Sequence, residues 1–345
     1  MSVKIKLSIN GYGTIGKRVA DAFANHPKVE IVGTAKYTPD EDCTLARIKG
    51  YKVFVTKDMV ELFKKAGREI DGTVDEMVRA SDVVIDSSYK FGEENKRLFY
   101  EPAGVKAIFQ GGEKETIAEV SFNARCNYDE ARGKRYIRVV SCNTTGLCRI
   151  IKPIAERYQK IDRIDVILIR RGADLSDEKG SALDSVSWKP NSHHAEDVKS
   201  IIKNLPIFSI AFKVPHTLMH VHYVKIKFGE APPTLDELLD IYKKETRIAI
   251  LRDAKSTANI VDKCRDLMLP RFDSFTVNFH PDTFVASDGT ISFVLSVPQE
   301  SIVIPESVDA VMSQFGLMSR DESMKLTDKL LGIPKIKREL ERIFS

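Results

Sequence analysis

The chain is poor in several residues that would mark a specialised class. Its 345 residues include only five cysteines, an odd number without dense spacing, and a single tryptophan. That excludes a secreted disulfide scaffold and makes a reducing, cytoplasmic setting the expectation. Cys126 and Cys148 are the one pair that could bridge, should the source be a hyperthermophile, where intracellular disulfides occur. No apolar run approaches the roughly 18 residues of a membrane-spanning helix. The opening stretch MSVKIKLSINGYG has neither an apolar h-region nor a small-residue cleavage site, so a secretory signal is not expected. Lys and Arg total 53 against 49 Asp and Glu, a formal net charge of +4. Without a basic block interleaved with aromatics, that balance suits small anionic ligands and speaks against a nucleic-acid partner. Internal repeats and low-complexity linkers are lacking as well.

What is present is an alternation of strand and helix. VKIKLSIN, VEIVGTAKY, SDVVIDSS, VKAIFQGG and KRYIRVVSC read as strands, AGREIDGTVDEMVRA as a short strand and then a helix, and KRVADAFANH and KFGEENKRLFYEPAG as further helices. Continuous apolar strands joined by helices predict a doubly wound, Rossmann-type parallel sheet, an α/β class. After the next helix the pattern changes to longer alternating strands, IDRIDVILIRR, LPIFSIAFKVP, LMHVHYVKIKFG and ISFVLSVPQES, which predict a second domain with a mixed or antiparallel sheet. The expected division is residues 1–140 for the dinucleotide-binding domain and 141–311 for the catalytic domain. Helices over about 312–345 are expected to pack back on the first.

GYGTIG, from Gly11 to Gly16, matches G-x-G-x-x-G between a strand and a helix. In that context Gly11 permits the tight turn, Gly13 the approach of a pyrophosphate, and Gly16 the close packing of helix on strand. The fingerprint then asks for an acidic residue about 20 positions on, to hold the ribose 2′-hydroxyl. Here the second strand ends instead in Lys36, followed by Tyr37 and Thr38. A lysine suits a 2′-phosphate, so NADP is favoured over NAD, or both are accepted.

In YIRVVSCNTTGLCRII a strand delivers Cys142 to the carboxyl edge of the sheet, where a helix begins. The helix is read over LCRIIKPIAERY, with Pro153 in its first turns or kinking it. A helix N-terminus lowers a thiol pKa, and the same N–H groups with Asn143 suit an oxyanion. Cysteine chemistry beside a dinucleotide fold points to covalent aldehyde oxidation through a thiohemiacetal and a thioester. Cys148 reads as packing.

The stretches INGYGTIGKRVADA, AIFQGGEK, VVSCNTTGLCR, SHH, TLMHVH and QESIVIPE together resemble the archaeal-type phosphorylating glyceraldehyde-3-phosphate dehydrogenases, in order and over nearly the whole chain. The resemblance implies NADP or NAD as cofactor, inorganic phosphate as co-substrate and a homotetramer. It implies Cys142 as nucleophile with Ser141 and Asn143 beside the substrate carbonyl, and His220, from T-L-M-H, as the acid–base residue. Thr14 and Ile15 resemble the pyrophosphate contacts and Gly112 a nicotinamide-side glycine. Arg170 is similar to a cofactor-side arginine, His193 and His194 to substrate contacts, and Gln299 to a residue near the nicotinamide amide. The chain departs from the family at KYTPDED in place of T-K-P-D-F-E, at His216 in PHTLMH, and at SHHAEDV in place of SHHGPDV.

His216, His220 and His222 share parity along the expected strand, and so one face of it. They lack the further ligands of a metal site, and no metal is expected; one of them as base to Cys142 fits better, and spacing alone leaves His194 open for that role. Arg170 and Arg171 point to opposite faces of a strand. One is expected to face the active site and the other to make a domain contact, and which is which stays open, with two interdomain ion pairs as the alternative; Arg171 is set against the substrate phosphate, for which the planar guanidinium is suited. The alternatives are another thioester-forming enzyme, such as a semialdehyde dehydrogenase or acyl-phosphate reductase, and, in a different class, a non-catalytic NADP(H)-binding redox sensor.

Overall fold

A computed structural model describes residues 4–110, 112–172, 185–190 and 192–345. The chain divides into two compact units. One runs to Ala124 and adds Tyr128–Ser141 and Ile304–Leu330; the other consists of Arg125–Asn127, Cys142–Val303 and Leu331–Ser345.

The first unit holds eight strands: β1 (Ile5–Asn10), β2 (Val29–Ala35), β3 (Val53–Val55), β4 (Gly72–Thr73), β5 (Val83–Asp86), β6 (Lys106–Phe109), β7 (Val120–Phe122) and β8 (Tyr136–Val139). They lie in the order β4-β3-β2-β1-β5-β6-β8-β7, and every pairing is parallel. β5 and β8 are buried along their whole length, as a sheet covered on both faces requires. The chain winds outward from β1 through β4, then crosses to place β5 on the other flank of β1. That reversal leaves a crevice at the carboxyl ends of β1 and β5, the place where doubly wound sheets bind ligands.

The second unit holds β9 (Ile161–Arg171), β10 (Ser187–Lys189), β11 (Ile207–Val214), β12 (His220–Phe228), β13 (Ile248–Ile250), β14 (Val277–Ser287) and β15 (Thr290–Val297). Their order is β10-β11-β9-β12-β15-β14-β13. The sheet is mixed: β11 pairs with β9 and β13 with β14 in parallel, and the other neighbours are antiparallel. Ile164, Val166 and Leu168 of β9 are buried, whereas Ile167 and Ile169 are exposed. One face of the sheet is therefore covered and the other open. The short strands β10 and β13, and β14, are the elements that alternation alone does not reveal.

Two boundaries differ from expectation. The helix after β8 spans Cys142–Arg157 and so begins five residues before Leu147, taking Asn-Thr-Thr-Gly into its first turns. A Cβ on Gly146 would lie 2.9 Å from Val297 Cγ2, so the glycine lets the helix sit this close to β15 without displacing that side chain. Pro153 consequently falls late in the helix rather than in its opening turns. At the C-terminus, helices Ile304–Gln314 and Arg320–Leu330 belong to the first unit. There the buried Glu306 accepts from the Ala124 N–H at 2.6 Å, and Asp309 accepts from Ser323 Oγ and Thr327 Oγ1, both at 2.7 Å. The last helix, Ile333–Ile343, goes instead with the second unit. Its buried stripe Ile333, Ile336 and Leu340 needs an apolar partner, and Glu341 Oε1 accepts from the Ile250 N–H of β13 at 2.9 Å.

Candidate active site

In the first unit, β1 gives way to the glycine loop at Gly11, whose φ of +97° favours glycine. A Cβ on Gly11 would lie 2.8 Å from the Ser88 nitrogen, so the loop rests directly on the segment that follows β5. On Gly16 it would lie 1.9 Å from the Gly11 carbonyl oxygen. Gly13 is the opposite case, since nothing lies within 4 Å of an added Cβ. It caps helix Thr14–Phe23, whose first turn carries no acidic residue. Thr14, Ile15 and Gly16 thus bring the positive end of a helix dipole to an open face, an arrangement suited to an anion.

A buried polar network forms the floor beneath this loop. The Asp86 carboxylate accepts from the Ser88 N–H at 2.9 Å, Ser88 Oγ at 2.5 Å, Asn95 Nδ2 at 3.0 Å and the Tyr100 hydroxyl at 2.6 Å. Asn10 Nδ2 donates to the Tyr100 oxygen at 2.6 Å, and the Tyr37 hydroxyl donates to Asn10 Oδ1 at 2.7 Å. Burial raises the Asp86 carboxyl pKa, with the hydrogen bonds from Ser88, Tyr100 and Asn95 opposing it. The network ties together the ends of β1 and β5 and the segment after β2, three walls of the crevice. Sequence reasoning passed over Asn10, Asp86, Ser87 and Ser88. The available sign was polar D-S-S immediately after a wholly apolar strand at the switch point.

Lys36 is 6% exposed, not a solvated surface charge. Its ammonium lies 2.7 Å from Asp40 Oδ1 and 3.7 Å from Asp42 Oδ2, while Lys17 holds Asp42 at 2.9 Å. The acidic residues of KYTPDED therefore serve as counter-ions to the two lysines. Thr38 is exposed, and its carbonyl accepts from Cys43 Sγ at 3.7 Å. Gly112 is exposed beyond β6, its N–H bonded to the Gln110 carbonyl at 2.8 Å.

In the second unit, Cys142 opens its helix and is partly exposed; Ser141 is the residue before it. Burial pushes the Cys142 thiol up, while Arg171, then Arg170, and the backbone N–H groups of Asn143 and Cys142 pull it down. The helix end acts in the expected direction, yet desolvation outweighs it, so the expected lowering of the thiol is reversed in the free protein. Both arginines act on the sulfur, although they are consecutive on β9. No disulfide joins Cys126 to Cys148; Cys126 Sγ donates to the Cys148 carbonyl at 3.8 Å.

Asn143, second in the helix, places its Nδ2 3.8 Å from Cys142 Sγ and its Oδ1 2.9 Å from His222 Nε2. His220 and His222 are both buried on β12, two residues apart and so on one face. His216 does not join them. It precedes the strand, and Met219 between them adopts a φ of +62°, which breaks the alternation that parity assumed. His220 Nδ1 accepts from the Arg171 N–H at 3.1 Å, so a neutral ring carries its proton on Nε2. Burial, then the fields of His222, Arg171, Arg170 and His194, hold His220 well below the usual imidazole range. An imidazolium partner for the thiolate, as expected for a base, is thus not what this environment favours. His194 is buried and His193 exposed at the start of helix His193–Ile201, their ring centroids 4.1 Å apart. Burial, followed by His193, Arg170 and His222, likewise lowers His194. Gln299 donates through Nε2 to the Thr217 carbonyl at 3.0 Å.

The residues present fit a dinucleotide. Gly13 leaves an open cradle at a helix N-terminus. Ser87 Oγ, at the end of β5, and Gln299 Oε1 are buried without a hydrogen-bond partner among the described residues. A hydroxyl beside a phosphate loop is a group that such a ligand would satisfy.

Comparison with known proteins is decisive on ancestry. Residues 141–269 match the family model of the glyceraldehyde 3-phosphate dehydrogenase C-terminal domain. The chain is 42% identical over 337 residues to the glyceraldehyde-3-phosphate dehydrogenase of Pyrobaculum calidifontis, covering 95% of this chain and 97% of that one. It is 43% identical over 343 residues to the enzyme of that name from Archaeoglobus fulgidus, covering 97% and 99%. The chain belongs to the glyceraldehyde-3-phosphate dehydrogenase family. It has the two-domain α/β fold of these dehydrogenases and is an oxidoreductase of the NAD(P)-dependent kind. Among the described residues no helix is long and apolar enough to cross a membrane.

The packing of the glycine loop makes a prediction for this dehydrogenase. Gly16→Ala should abolish dinucleotide binding, because the clash with the Gly11 carbonyl moves the loop itself. Gly13→Ala, which meets no protein atom, should fold normally and lose affinity only where a ligand would press on the methyl group. Fluorescence titration with dinucleotide alongside thermal unfolding checks both; unchanged binding by Gly16→Ala would show that the loop is not the site.

Proposed function

We propose that the chain oxidises glyceraldehyde 3-phosphate to 1,3-bisphosphoglycerate, with inorganic phosphate and NADP or NAD, or runs the reverse reaction. What supports this reading is Cys142 at a helix start with the Asn143 amide beside it, the fields of Arg171 and Arg170 on its sulfur, and the buried His220 bonded to the Arg171 N–H. In this reading Cys142 loses its proton to water, to which it is partly open, as substrate arrives. The sulfur attacks the aldehyde carbon, and the carbonyl electrons move to oxygen. His220 Nε2–H donates to that oxygen, as does the amide end of the helix. Ser141 lies beside the carbonyl. Arg171, His193 and His194 hold the substrate and attacking phosphates, and Arg170 serves the cofactor side with Gln299 and Gly112. A bound nicotinamide would accept the hydride, the one piece of chemistry that no side chain here supplies. Gly11, Gly13, Thr14, Ile15 and Gly16 would hold its pyrophosphate.

NADP is the favoured cofactor in this reading, because Lys36 stands where an acid would repel a 2′-phosphate. Asp40 and Asp42 neutralise Lys36 in the free protein, so the phosphate competes with Asp40 for the ammonium. We also read the protein as a cytoplasmic homotetramer. The uncovered sheet face bearing Ile167, Ile169, Phe208 and Tyr223, each at least 36% exposed, supports contact between copies, since such patches mark association surfaces.

The test of the reaction is turnover with glyceraldehyde 3-phosphate, NADP and NAD side by side, with phosphate present and omitted. Cys142→Ser should fold and abolish turnover; retention of a tenth of the wild-type rate would sink the covalent mechanism. His220→Asn removes an oxyanion donor, a loss of about 10²–10³ in kcat. It should scarcely alter the pH dependence of Cys142 alkylation, since the ring it replaces is neutral. A midpoint moved upward by a full pH unit would restore the imidazolium to the mechanism.

For the cofactor, Lys36→Ala should raise the KM for NADP about tenfold or more, the worth of a charge-assisted hydrogen bond, and leave that for NAD nearly untouched. Equal losses with both cofactors would make Lys36 a counter-ion to Asp40 and Asp42 and nothing further.

A further inference from the structure

His222 lies in the interior of β12, fully buried, opposite Leu168 on β9 and Leu295 on β15. A polar ring in so apolar a place calls for a reason. Its Nε2 meets Asn143 Oδ1 at 2.9 Å, and its Nδ1 has no hydrogen-bond partner among the described residues. A neutral imidazole has one N–H and one lone pair. Burying an N–H without an acceptor is rarer and costlier than burying a lone pair. The proton therefore belongs on Nε2, donated to Asn143 Oδ1, and Nδ1 keeps its lone pair. Burial also keeps the ring from charging, with its pKa pushed down to about 3, so this donor persists at any pH near neutrality.

The consequence falls on Asn143. An amide with its oxygen fixed on His222 has its NH₂ directed elsewhere, and Nδ2 lies 3.8 Å from Cys142 Sγ. The flipped amide would set Nδ2 against Nε2–H and Oδ1 against the sulfur, repelling a thiolate. We infer that His222 is a positioning residue that locks the Asn143 amide so that it donates to the Cys142 thiolate. This rests on the reading of Cys142 as the nucleophile, and it gives the sulfur a neutral donor in place of an imidazolium. The other groups that face the sulfur are Arg171 and Arg170 from β9. His194, from the helix His193–Ile201, and His220 lie near those arginines, and both are held neutral. Neither contributes the orientation that His222 imposes.

The test reads the thiol, not turnover. The rate of iodoacetamide alkylation of Cys142, followed by peptide mass against pH, gives its midpoint. His222→Phe, which keeps the ring and loses the donor, should raise the midpoint by about one unit, so that alkylation near neutrality slows roughly tenfold. Asn143→Ala should do the same, and the double variant should move no further than either alone, because His222 acts only through Asn143. An unmoved midpoint in His222→Phe, or shifts that add in the double variant, would overturn the inference. The wild-type protein supplies a second measurement that no folding defect can obscure. Nitrogen chemical shifts of His222 should show a protonated Nε2 and a bare Nδ1 across neutral pH, and the opposite tautomer would equally end the proposal. Should Cys142→Ser retain turnover, the catalytic reading falls while these two results still decide whether the lock exists.

Discussion

A negative charge on a buried sulfur is unstable unless dipoles and cations are brought to it, and the start of the helix at Cys142 brings both. Desolvation raises the Cys142 thiol, and Arg171, Arg170 and the first N–H groups of the helix only partly offset it. The helix has to start at Cys142 itself, because those groups act over a single turn. Starting there draws Gly146 against Val297, where a side chain would not fit. Val297 is the register partner of His220, so the packing that admits the helix also sets the start of Cys142 beside the histidine strand.

The same constraint accounts for the character of the histidines. Two cationic arginines already lie near the sulfur, and protonated rings beside them would face repulsion as well as desolvation. Burial first, and then the arginines among other cations, hold His194 and His220 below the usual imidazole range, and burial alone holds His222 there. What remains for them is hydrogen bonding with a fixed tautomer. The Arg171 N–H decides that tautomer for His220, and the bond to Asn143 Oδ1 with no partner for Nδ1 among the described residues decides it for His222. The reaction proposed above, which starts from a thiol raised by burial and passes through an oxyanion, needs donors that do not titrate away, and neutral rings are such donors.

The architecture was legible in the sequence because it rests on periodicity. Continuous apolar strands announced the parallel sheet, GYGTIG its switch point, and alternating strands the open-faced second sheet. The position of Cys142 at a helix start was legible because a strand runs up to it and a helical pattern follows. What escaped depends on contacts distant in sequence or on single dihedral angles. Parity put His216 in line with His220 and His222, and one residue, Met219 with φ of +62°, takes it out. Asn143 and His222 meet across 79 positions, which no local pattern encodes. Lys36 was visible as a departure from the acidic fingerprint, but its burial under Asp40 was not, since spacing says nothing of which neighbours a lysine turns toward. The final helix had a clear apolar stripe, and a stripe does not name the surface that it covers.

The buried network under the glycine loop shows the same logic in the first unit with the opposite sign. Asp86 is a carboxyl raised by burial and held by donors on Ser88, Asn95 and Tyr100. An isolated buried carboxylate would be costly, yet here its bonds span elements that pair only along their edges. Tyr37 closes the chain of bonds through Asn10 and is adjacent to Lys36, so the lysine at the tip of β2 and the loop at the tip of β1 are fixed to one frame. Gly11 rests on Ser88, and Ser88 is bonded twice to Asp86. The glycine loop therefore owes its shape less to its own glycines, which only permit it, than to a carboxylate 75 residues further on that leaves it no other place to lie.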